Sequence, residues 1–104
     1  MTDDATPEGA ADASIGALRR TLPIGNKRGL HARAAAKFVR TAGQFDAVLR
    51  VSFKGQEVSG LSIMGLMMLA AGIGSEIELF CSGRQATDAM AALSALVVGK
   101  FGEE

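Results

Sequence analysis

Gly29-Leu30-His31-Ala32-Arg33-Ala34-Ala35-Ala36-Lys37-Phe38-Val39 contains the only histidine of the 104-residue chain. A turn rich in φ-permissive residues, Gly25-Asn26-Lys27-Arg28-Gly29, leads into it. From Ala32 the apolar positions Ala32, Ala35, Phe38, Val39 and Ala42 follow helical spacing, and Gly43 is the expected stop. His31 therefore opens a helix, with Arg33 two residues on. The first amides of a helix lack partners and carry partial positive charge, so this place favours a bound anion. His31 supplies a ring nitrogen that can take a phosphoryl group, and Arg33 a guanidinium that can steady it. The plainer reading is a lone surface histidine at a helix end. Position alone leaves both open.

Outward from this segment the chain reads as one small domain. Leu18 to Ile24 forms a strand with Leu22 and Ile24 on one face, and Pro23, which cannot donate to a ladder, places it at a sheet edge. Ala47 to Phe53 alternates, with Ala47, Leu49, Val51 and Phe53 on one side. Lys54-Gly55 is a hairpin turn, and Gln56 to Ser59 is the returning strand. Ser62 caps a short helix reaching Leu69, and Glu76 to Cys81 is the last strand. The final helix carries Ala86, Ala89, Met90, Leu93, Leu96 and Val97 on one stripe. The order βαββαβα, with one apolar face per strand, predicts a two-layer α+β domain: an antiparallel sheet with helices on one face and water on the other.

Composition narrows the function. Eleven basic residues balance eleven acidic ones, which argues against a basic nucleic-acid-binding face. One cysteine permits no internal disulfide and no Cys/His zinc set. Cys81, on the face of Ile77 and Leu79, reads as a small core residue. Residues 1–16 carry Asp3, Asp4, Glu8 and Asp12 and little that could be buried. They are expected to be a disordered acidic extension, with the folded domain over residues 17–104. Neither a secretory signal nor a membrane-spanning stretch is visible, so a soluble cytoplasmic protein is expected. No second histidine and no carboxylate lies near His31 in sequence, which disfavours a hydrolase.

Two motifs in this order carry a resemblance. One is Gly29-Leu30-His31-Ala32-Arg33, backed by Ala35, Ala36, Phe38 and Val39. The other is Ser62-Ile63-Met64-Gly65-Leu66-Met67, followed by Leu69. From Leu18 to Gly99 the chain resembles the histidine-containing phosphocarrier proteins, HPr, of the bacterial phosphotransferase system. The resemblance implies an open-faced β-sandwich of four antiparallel strands and three helices. It implies a carrier with a phosphohistidine intermediate rather than a stand-alone enzyme. His31 would accept a phosphoryl group from Enzyme I, originating from phosphoenolpyruvate, on Nδ1 and pass it to a histidine of an enzyme IIA protein. Arg33 matches the family's active-site arginine, and the amides of Ala32, Arg33 and Ala34 would hold the phosphate. Ser62 matches a serine phosphorylated in part of the family by HPr kinase/phosphorylase. Ile63, Met64 and Met67 are the expected partner contacts.

A monomer with no cofactor, no metal, no nucleic acid and no membrane insertion is expected from this reading. The chain departs from the family pattern at Ala34, where proline is usual. Arg28 stands where many members carry Ser or Asn, and Leu61 where some carry lysine. Two alternatives stand beside this reading. One is a regulatory component of the nitrogen-related branch, NPr, acting through phosphorylation-dependent partner binding. The other is a small-molecule-binding α+β domain in which His31 is incidental.

Overall fold

The computed structural model describes residues 17–103; the expected acidic extension over residues 1–16 lies outside them. The elements are β1 (Leu18–Pro23), α1 (Ala32–Ala42), β2 (Val48–Phe53), β3 (Gln56–Ser59), α2 (Ile63–Met68), β4 (Glu76–Ser82) and α3 (Ala86–Val98). A 3₁₀ turn, Lys100–Gly102, follows α3. The strands form one antiparallel sheet in the order β1-β4-β2-β3, so Pro23 does lie on an edge strand.

Strict alternation sets the two faces. Ile77, Leu79 and Cys81 of β4 are buried, as are Leu49 and Val51 of β2 beside them, and the three helices cover this side. The other face is wet and charged. Arg19 pairs with Glu78 at 2.6 Å and lies over the Phe80 ring, and Arg50 pairs with Glu57 at 3.1 Å. The β2–β3 hairpin turns through Lys54 (φ 50°) and Gly55 (φ 81°), the left-handed pair whose twist matches that of the strands.

Helix α1 buries Ala34, Ala35, Phe38 and Ala42. Ala32, expected on the apolar face, is exposed instead. The buried stripe runs along the i+4 row Ala34, Phe38 and Ala42, with Ala35 beside it, and at the helix start only Ala32 and Arg33 stay exposed. Helix α3 buries Ala89, Met90, Leu93 and Val97, while Ala86 and Leu96 sit at the margin. Arg20, on the helix side of β1, reaches across to donate to Ser94 Oγ at 2.9 Å.

Candidate functional site at the start of α1

The turn before α1 is built on Asn26, which is wholly buried. Its carbonyl accepts from the Gly29 amide at 3.1 Å, and its Nδ2 donates to the Gly29 carbonyl at 2.9 Å. Gly29 takes φ +63°, and a Cβ there would lie 2.4 Å from the Ala71 carbonyl oxygen. Both the backbone conformation and the close approach demand glycine. The next amide, of Leu30, donates to that carbonyl at 3.0 Å. The turn is thereby docked on the chain leaving α2.

His31 is the N-cap of α1, with φ −73° and ψ 176°, and its side chain makes no capping bond. Its carbonyl accepts the first helical bond, from the Ala35 amide at 2.9 Å. The amides of Ala32, Arg33 and Ala34 precede that bond and have no place in the helical ladder. No acidic residue stands in the first turn. Arg33 is exposed there and has no ion-pair partner among the described residues. The structure therefore brings together the histidine, the arginine and three amides outside the helical ladder at the positive end of a helix dipole, an arrangement suited to a transient anion. Ala34 contributes an amide that a proline would lack, and its methyl is buried.

One member of this cluster was not visible in the sequence. Glu103, 72 residues from His31, places Oε2 2.5 Å from His31 Nε2. The two side chains keep only 15% and 21% of their exposure. The other carboxylate oxygen, Oε1, accepts from Asn26 Nδ2 at 3.1 Å. The bond with His31, the bond from Asn26 and the charge of Arg28 hold the Glu103 carboxyl below its usual range, with burial opposing them. Arg28 itself is an exposed turn residue. The local signal for Glu103 was Phe101: an apolar residue just past a helix-ending glycine has to be folded back to be buried.

Ser62 caps α2 as expected, its Oγ accepting from the Gly65 amide at 2.9 Å. A Cβ on Gly65 would meet that Oγ at 2.9 Å and Val58 Cβ at 3.1 Å, so glycine lets the capped turn lie against β3. Leu66 and Leu69 go into the core. Ile63 and Met67 stay 40% and 39% exposed, Met64 69% and Met68 74%. The expected contact residues thus form an uncharged apolar surface, with Met68 as its most exposed member. A shallow groove lined by Glu57, Val58, Met68 and Leu69 continues it toward β3.

Cys81 is buried, and burial pushes its thiol up to about 11, which keeps it out of nucleophilic chemistry. Among the described residues there is no cluster of three or more His, Cys, Asp or Glu that could hold a metal. No described helix is long and apolar enough to cross a membrane.

Comparison with known proteins fits this geometry. The family model for the "PTS HPr component phosphorylation site" matches residues 18–98. Phosphocarrier protein HPr of Cupriavidus necator is 50% identical over 86 residues, covering 83% of this chain and 97% of that protein. Phosphocarrier protein NPr of Shewanella violacea is 43% identical over 86 residues, covering 83% and 94%. The crystal structure of HPr-C-His from Thermoanaerobacter tengcongensis superposes with a TM-score of 0.80 at 41% identity, covering 84% of this chain and 98% of that one. With the sheet order, the histidine-capped helix and these matches in agreement, the chain belongs to the HPr family of phosphocarriers of the phosphotransferase system.

Proposed function

We propose that His31 is the phosphoacceptor of this phosphocarrier, taking a phosphoryl group on Nδ1 from Enzyme I and delivering it to a histidine of an enzyme IIA protein. The observation that carries this reading is the N-cap histidine whose ring makes no capping bond, set beside three amides outside the helical ladder and an exposed Arg33. Nδ1 attacks phosphorus while the nitrogen–phosphorus bond of the donor breaks. Negative charge on the transferred group then meets the amides of Ala32, Arg33 and Ala34 and the Arg33 guanidinium. A carrier must release what it accepts. A few amides and one solvated arginine stabilise the phosphate without enclosing it, unlike a deep site.

The exposed Ile63, Met64 and Met67 form the docking surface for Enzyme I and enzyme IIA in this reading. Methionine side chains adapt to more than one partner. Ser62 is the regulatory position: a phosphate at this N-cap is compatible with the helix, so its effect falls on docking. The protein works as a cytoplasmic monomer. The likeness to an NPr protein favours a second reading, in which the same phosphorylation controls partner binding in the nitrogen-related branch.

The test is incubation with phosphoenolpyruvate, magnesium and Enzyme I, followed by mass spectrometry. One acid-labile phosphate on His31 is expected. Full labelling of His31→Ala would overturn the assignment. Delivery to a sugar-specific or to a nitrogen-branch enzyme IIA separates the two readings.

A further inference from the structure

The chain after α3 takes a conformation that its residues resist. Lys100, Phe101 and Gly102 have φ of 59°, 56° and 76°. Glycine adopts such values freely; lysine and phenylalanine do so only when their surroundings hold them there. Phe101 is held by burial, being 1% exposed, and its carbonyl accepts from Lys37 Nζ of α1 at 2.7 Å. These anchors carry Glu103 back over the start of α1. Its carboxylate then receives two donors, one on each oxygen: His31 at Oε2 and Asn26 Nδ2 at Oε1. Asn26 is wholly buried, yet its own Oδ1 has no partner. The amide is turned so that Nδ2 serves both Glu103 and the Gly29 carbonyl. Two donors converging on one side chain select a carboxylate, because a carboxamide would set an NH₂ against one of them.

We propose that Glu103 is a positioning residue for phosphoryl transfer: it accepts Nε2–H of His31, fixes the ring's orientation and tautomer, and leaves the Nδ1 lone pair as the nucleophile. The proposal rests on His31 being the phosphoacceptor. In the transfer step the Nδ1 pair forms the new nitrogen–phosphorus bond. The donor's nitrogen–phosphorus bond breaks, and its pair returns to the donor nitrogen. No proton leaves His31. Its ring therefore gains positive charge, which the Glu103 carboxylate faces directly across the Nε2–H bond. Glu103 thus orients the ring before transfer and balances its charge afterwards, as a carboxylate behind a catalytic histidine does. The charge of Arg28 on the preceding turn also favours the ionised carboxylate.

The experiment uses the full ¹⁵N-labelled chain and the variants Glu103→Ala and Glu103→Gln. In the unsubstituted protein the Nε2–H proton is expected as a downfield, slowly exchanging resonance correlated with Nε2, while Nδ1 shows no proton. Glu103→Ala should lose that resonance. Its initial rate of phosphoryl acceptance from Enzyme I should fall about tenfold, the loss of one charge-assisted hydrogen bond. Glu103→Gln preserves volume, removes the charge and turns an NH₂ on one of the two donors, so its rate should also fall while its circular dichroism shows the fold retained. An unchanged ring resonance in Glu103→Ala, or a rate within about twofold in both variants, would overturn the proposal. If the unsubstituted chain takes no phosphate on His31, the phosphoacceptor assignment itself fails. If it is labelled and both variants match it, only the role of Glu103 fails.

Discussion

The amide of Leu30 donates to the carbonyl of Ala71 at 3.0 Å, fastening the residue before the histidine to the chain just past α2. Gly29 makes this possible, since any Cβ at that position would run into the same carbonyl. Gly29→Ala is expected to destabilise the domain by roughly 2–4 kcal/mol, combining a left-handed backbone with a backbone clash. Thermal melting checks this. A midpoint within a degree or two of the original would show that the turn relaxes away from Ala71 at little cost.

Arg33→Ala separates chemistry from folding. The side chain is exposed, so stability should change by no more than about 0.5 kcal/mol. Loss of a charge-assisted contact to the phosphoryl group should slow acceptance from Enzyme I by about ten- to a hundredfold. Transfer rates and circular dichroism on the same preparation decide it. An unaltered rate would remove Arg33 from the site.

On α2, neighbouring positions should respond in opposite ways. Met64 is 69% exposed, and Met64→Asp is expected to leave the melting midpoint nearly unchanged while weakening Enzyme I binding by about tenfold. Leu66 is fully buried, and Leu66→Ala should cost about 2–5 kcal/mol of stability. Paired calorimetry and binding measurements test both. Normal binding by Met64→Asp would place the docking surface elsewhere.

Acid should act on the Glu103 contact with a definite sign. The folded carboxyl is held below its ordinary value of 4.5, chiefly by the bond with His31 and then by the bond from Asn26. A lowered folded pKa adds stability that is present above the ordinary value and lost as pH falls through the folded one. The melting-midpoint gap between the unsubstituted chain and Glu103→Ala should therefore shrink as pH falls below 4.5. A gap that widens in acid would contradict the hydrogen-bonded carboxylate. Arg28, whose charge acts on this carboxyl, and Lys37, which donates to the Phe101 carbonyl, are the other cationic groups beside this segment.

Much of the framework could be read locally, because its causes are local. Alternation from Ile77 to Cys81 dictates which side of β4 meets the helices. Pro23 confines β1 to an edge, Lys54-Gly55 closes a tight hairpin, and Ser62 satisfies the first turn of α2. The histidine-opened helix was legible for the same reason. Two features were not. Ala32 has the right spacing for the apolar stripe, but the row that is buried is Ala34, Phe38 and Ala42, and which row of an alanine-rich helix is buried is set by tertiary packing. Glu103 depends on successive left-handed residues and on a buried Asn26 at the far end of the chain. No periodicity encodes a contact of that kind; it exists only once Phe101 has found its place in the core.

The interleaved sheet also governs how the chain can become ordered. Because β4 lies between β1 and β2, β1 has no strand to pair with until β4 is present; Arg19 and Glu78, partners across that join, stand 59 residues apart. Only the β2–β3 hairpin closes from nearby residues. A ribosome making this protein therefore releases nearly the whole domain before the sheet can assemble. Folding is accordingly a late and concerted event dominated by long loop closures rather than a progressive one. The acceptor turn inherits that timing: His31 emerges early and gains its carboxylate partner only when the last described residues arrive.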